Sequence, residues 1–261
     1  MKQSKLDRKQ LDKLYRLYNK RQLVHPDPLE FLYKYSEALD REVVGIIASS
    51  LAYGRVAQIL KSVDGILKPM GKHPFRFLQK TDPLRLMNVY KGFKHRFTTD
   101  REMVSLLSGV HRVIVKFGSL NRCFVAGLRA EDENVLPALG RFSKELACVS
   151  KYLIPSPQDG SACKRLNLFL RWMVRQDDVD PGGWRGVSPA KLIIPLDTHM
   201  VNISKKLGIT ARKTANIRMA EEITTAYKTV NFDDPVKYDF ALTRFGIRSD
   251  MKISELLTHI F

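Results

Sequence analysis

The stretch "DREVVGIIASSLAYGRVAQILKSVDGIL", residues 40–67, is apolar on nearly every side over its first dozen positions and then becomes amphipathic. That pattern predicts a buried helix followed by a half-buried one. Asp40 is placed to cap the first helix, and Glu42 lies in its first turn, where a carboxylate faces unpaired N–H groups. Gly54 breaks the run, which resumes through Ile59, Leu60, Val63 and Leu67. A helix that is apolar all round needs other helices around it.

Helical periodicity continues on both sides of this stretch. Leu6, Leu11, Leu14, Leu17 and Tyr18 share one face of a basic segment over 6–18. Further helices are expected over 100–117, 119–128, 134–150, 161–176, 198–207, 214–228 and 235–245. Alternation of period two never lasts long enough to make a sheet. The expected fold class is therefore all-α, as a single helical unit over residues 1–261 with room for two lobes and a cleft. Loops fall at "GKHP" (71–74), "IPSPQDG" (154–160) and "DDVDPGGWRGVSP" (177–189).

Forty-four Lys and Arg against 27 Asp and Glu give a formal net charge of +17 and a pI of about 9.8. Such a balance points to a polyanion partner, with nucleic acid first, although ribosome-associated and membrane-surface proteins share it. The three cysteines, Cys123, Cys148 and Cys163, form no C-x-x-C pair, which argues against a disulfide framework, a four-cysteine zinc site or an iron–sulfur cluster. No metal and no cofactor are expected. The opening "MKQSKLDRKQLDKLYRLYNKRQ" lacks an apolar signal core, and no apolar run of about 18 residues occurs. The expectation is a cytoplasmic, nucleoid-associated monomer without a membrane segment.

Two segments carry candidate chemistry: "IPSPQDGSACKRLNLFLRWMVR" (154–175) and "IIPLDTHMVNISKKLGI" (193–209). In the first, the proline-rich turn ends at Gly160, and Ser161 is expected to open a helix with Lys164 in its first turn. The shape resembles a helix–hairpin–helix, in which Gly160 and Ser161 would bring backbone amides to a DNA phosphate. In the second, Pro195 stops the preceding run and Asp197 takes the N-cap of the next helix, a position that favours a carboxylate. A lysine near a helix N-terminus in a cationic region is biased toward its uncharged, nucleophilic amine. Lys164 and Asp197 lie 33 positions apart and can converge on one cleft.

The lysine, the interval and "PLDTH" together resemble the helix–hairpin–helix DNA glycosylase superfamily, most closely its archaeal 8-oxoguanine glycosylase branch. The resemblance covers roughly 154–246, and "IIASSLAYGRVAQI" (46–59) is similar to the family's early helix and turn. It implies a two-lobed helical DNA glycosylase fold and a base-excision-repair enzyme that removes 8-oxoguanine from double-stranded DNA, with AP lyase activity. It further implies that Lys164 forms a Schiff base, Asp197 is the catalytic aspartate and His199 meets a phosphate. Leu168 would pack on the damaged base, and Asp239 in "YDFALTRFGI" would contact purine nitrogens. Leu168 and Gly54 depart from the family pattern, which leaves the preferred base open.

Three more residues are singled out by their own positions. Trp184, in the glycine-rich loop, is a candidate for stacking on the base. Tyr53 and Arg55 stand at the helix break, where a wedge into the duplex can project. Taken singly, each candidate has an ordinary reading: a solvated lysine, a helix cap, a surface histidine, a core tryptophan. Two other functions also fit, a monofunctional glycosylase for alkylated bases that uses water, and a non-catalytic DNA-binding protein of the same fold.

Overall fold

Helix α2 (Ala38–Ser50) runs through the core, with Val43 through Ser50 buried along its whole circumference. The computed structural model describes residues 6–248 and 250–260. Before α2 come α1 (Arg8–Tyr18) and a 3-10 helix, Pro28–Lys34; after it come α3 (Val56–Leu67), α4 (Pro74–Lys80) and α5 (Pro83–Val89). The middle of the chain forms α6 (Asp100–Phe117), α7 (Leu120–Ala126), α8 (Leu136–Leu146) and α9 (Lys164–Val174). The remainder forms α10 (Thr198–Lys206), α11 (Ile217–Lys228), α12 (Asp239–Ile247) and α13 (Ile253–Ile260). The chain is thus mostly helical, as the periodicity predicts.

The apolar girth of α2 is covered by α9 and by the 3-10 helix Pro28–Lys34. Its polar residues serve as anchors. Glu37, not Asp40, is the N-cap; the Asp40 carboxylate instead accepts from Phe75 N at 2.9 Å and ties down α4. Glu42 is buried and accepts from Leu120 N at 2.8 Å and Asn121 N at 3.0 Å, capping α7 across the core. Trp184 Nε1 donates to the same carboxylate at 3.0 Å. Burial outweighs these three donors and pushes the Glu42 carboxyl up to about 7.

Five features depart from the expected layout. Helices α4 and α5, each beginning on a proline at the first turn and lasting only two turns, lie outside the expected set of helices. Helix α13 also lies outside the expected set. Residues Lys94–His95 and Thr98–Thr99 pair as a short antiparallel hairpin, His95 opposite Thr98. Helix α9 begins at Lys164 rather than Ser161, because Cys163 before it adopts a left-handed backbone, φ 47°. The expected hairpin before Lys164 is instead a long connection from Ala147 to Cys163, holding a single 3-10 turn, Pro157–Asp159.

The last turn of α9 is held by a buried ion network. Arg171 Nε pairs with Asp180 at 3.2 Å and its Nη1 with Asp239. Arg175 pairs with Asp180, with Asp177 at 2.9 Å and with Asp234 at 2.9 Å. This network fixes the loop after α9 and the start of α12 against one another. Among the described residues, no single helix is long and apolar enough to cross a membrane.

Candidate functional site

A cleft of about 740 Å³ opens where the ends of α2, α9, α10 and α12 meet. Lys164, the first residue of α9, points into it and donates from Nζ to Ala52 O at 3.1 Å, just past the end of α2. Burial holds its amine below the usual lysine range. Asp197 pulls the other way, as do Asp27 and Asp239, while Arg165 reinforces the lowering.

Asp197 caps α10, its Oδ1 accepting from Met200 N at 2.7 Å, as its place after Pro195 predicts. Its second oxygen has no partner among the described residues. Lys164 and Asp197 line the same cleft without an ion pair within 4.0 Å. Amine and carboxylate therefore face a shared volume, and each retains an unengaged face.

Leu168, one turn along α9, gives this volume an apolar wall, and Asp239 also lines it. Asp239 is buried and paired with Arg171, and its Oδ1 is left without a partner among the described residues. Burial raises its carboxyl to about 6, with Arg171 opposing. His199 also lines the cleft, its ring pressed onto Gly246, where a Cβ would come within 2.2 Å of Nδ1. Two further residues line the cleft that the sequence does not single out, Asp27 and Arg244. Arg244 Nη2 donates to Asp27 at 2.9 Å, while its Nε and Nη1 have no partner among the described residues.

The remaining candidates lie elsewhere or behave differently. Trp184 does not reach the cleft; it sits in the core with ring centroids 5.1 Å from Phe169, 5.5 Å from Phe124 and 6.4 Å from Phe142. Its glycine-rich loop is folded inward by the bond to Glu42, which removes it as a base-stacking residue. Gly160, at φ 75°, ends the 3-10 turn, and Ser161 Oγ accepts from Cys163 N at 3.1 Å; neither lines the cleft. Tyr53 does line it, but the side chain is tied down. Its hydroxyl donates to His95 O at 2.9 Å and lies 2.6 Å from Thr98 Oγ1, so it cannot project as a wedge. Arg55, at the start of α3, is exposed. Among the described residues, no group of three or more His, Cys, Asp or Glu is arranged to hold a metal ion.

Residues 27–248 match the protein family described as "Protein of unknown function (DUF2400)". The chain belongs to that family. No curated protein and no solved structure matches it. The assignment overturns the resemblance to the helix–hairpin–helix glycosylases, whose family the chain does not match. A lysine and an aspartate 33 positions apart, each at a helix start, form too short a pattern to carry family membership. In the DUF2400 chain the segment before that lysine is a long connection rather than a tight hairpin.

Proposed function

We propose that the protein excises a damaged purine, 8-oxoguanine in the first instance, from double-stranded DNA and then cleaves the strand as an AP lyase. The observation that carries this reading is the desolvated Lys164 amine beside the unpaired face of Asp197 in one cleft. A lowered lysine pKa enlarges the fraction of neutral amine, the form that nucleophilic catalysis requires. The net charge of +17 favours a polyanionic substrate.

In this mechanism Lys164 Nζ attacks C1′ of the deoxyribose as the C1′–N9 bond breaks, and the departing base takes the electron pair and a proton. Asp197 stabilises the positive charge that develops on the sugar. The nitrogen then loses a proton, and its lone pair expels O4′, which keeps the C1′–O4′ electron pair and takes up a proton as the 4′-hydroxyl, leaving an iminium between Lys164 and C1′. Removal of a C2′ proton then expels the 3′-phosphate, and water hydrolyses the iminium to free the lysine. The extruded base would lie against Leu168 with Asp239 at its polar edge, and unstacking would cost a few kcal/mol. His199 would hold a backbone phosphate of the substrate, bound by one monomer.

Borohydride reduces the iminium to a stable amine, so the wild type should form a covalent adduct with 8-oxoguanine duplex and Lys164→Gln should form none. No adduct with the wild type, or an undiminished one with the variant, sinks the lysine chemistry. Base release without strand cleavage selects a water-using glycosylase instead. Damage-selective binding without base release selects a non-catalytic binder.

A further inference from the structure

The short hairpin beside the cleft presents two residues outward on a mount built from buried ones. Its turn is Arg96–Phe97, between the paired His95 and Thr98. Phe97 is 71% exposed, and Arg96 holds a left-handed backbone, φ 51°, that glycine or asparagine normally takes. Isolated exposed apolar residues are common, so exposure alone means little. The support beneath this one is unusual.

His95 is fully buried, its Nδ1 2.8 Å from Ser62 Oγ and its Nε2 3.1 Å from Tyr53 O. The Tyr53 hydroxyl returns to the hairpin at His95 O. Gly54, which lines the cleft, has no side chain and so admits Arg96; a Cβ there would stand 2.7 Å from Arg96 Cδ. Phe97 meets the ring of Tyr152 edge-on at 6.4 Å, Tyr152 meets Tyr53 at 5.0 Å, and Arg165 lies over both tyrosines. A continuous path thus runs from Phe97 through Tyr152 and Tyr53 to Ala52, whose carbonyl holds Lys164. Arg55, Lys94 and Arg96 around it are exposed and have no carboxylate partner among the described residues.

We infer that the Arg96–Phe97 turn is a wedge for duplex DNA: Phe97 enters the base stack at the lesion while Arg96 and its cationic neighbours meet the flanking phosphates. This rests on the proposed action on DNA and adds the residue that separates the damaged nucleotide from its neighbours. Proteins that kink DNA insert apolar side chains between base steps in this way, and a strained backbone on a rigid mount is a common mark of functional turns. The unstacked step gains an aromatic face in place of the lost base.

The test uses the whole protein and a duplex carrying a tetrahydrofuran abasic analogue, which no lyase can open, against the same duplex intact. Wild type should prefer the abasic duplex, and Phe97→Ala should lose about tenfold of that preference. Phe97→Trp should retain it, with its emission quenched by stacking only on the abasic duplex; the native Trp172 and Trp184 are buried and provide a constant background. An unchanged preference in Phe97→Ala, or unquenched emission at saturating duplex, overturns the wedge. Borohydride trapping in parallel separates the two ideas. Trapping without these effects removes the wedge alone, these effects without trapping remove the lysine chemistry alone, and failure of the wild type to bind either duplex removes both.

Discussion

Lys164 is the residue on which burial and charge act in opposition. Burial and Arg165 favour its neutral amine, and Asp197, Asp27 and Asp239 favour the ammonium. Asp197→Asn removes the largest of the opposing charges, so the Lys164 pKa should fall further. A nucleophilic amine gains activity as pH rises through its pKa, so the rising limb of the borohydride-trapping profile on abasic DNA should move to lower pH in this variant. A midpoint that stays in place or moves up would count against the electrostatic pairing. Asp197 was legible because a cap is a local device: an acid after a proline, before a helical period. The bond between Arg244 and Asp27 was not, because it joins positions 217 apart; Asp27 before Pro28 reads locally only as the cap of the 3-10 helix Pro28–Lys34.

Elements were legible to the degree that their signals were strong and local. Helix α6 occupies the expected 100–117, since Thr99 and Glu102 form a capping box and Gly118 ends it at φ 83°. The wedge-bearing hairpin was hidden because its turn holds Arg and Phe where a glycine or asparagine signal would announce it. The start of α9 was misplaced because a left-handed cysteine cannot be foreseen from composition. Packing between elements sets a further test. At Gly109 on α6 a Cβ would stand 2.0 Å from Leu146 O, the carbonyl that ends α8, so only glycine permits this approach. Gly109→Ala should force the two helices apart and cost about 1–3 kcal/mol or more in denaturant unfolding. Gly65→Ala, in α3 with nothing within 4 Å, should be neutral or stabilising by up to about 1 kcal/mol. Equal behaviour of the two variants would contradict the close approach.

Across the whole molecule the distribution of charge matters more than its sum. The network after α9 sets Arg171 and Arg175 against four acids, Asp180 and Asp239 buried and Asp177 and Asp234 half-buried, so two cations face four carboxylates. Outside that network the excess of positive charge is therefore larger than the formal +17. A surface so charged stores counterion-release free energy for a polyanion, and the dependence on salt reads how much of it is used. If the basic surface engages on the order of 6–10 phosphates, affinity for a 20–30 base-pair duplex should fall roughly 10³- to 10⁵-fold between about 50 and 200 mM salt. Fluorescence anisotropy with a labelled duplex measures the slope, and a nearly flat one would mean that the positive surface serves some other partner. Because the wedge acts by stacking and the surface by charge, Phe97→Ala should lower affinity for the abasic duplex while leaving the salt slope within about one unit of the wild type. A slope that collapsed with the phenylalanine would place phosphate contacts, rather than base stacking, at the hairpin tip.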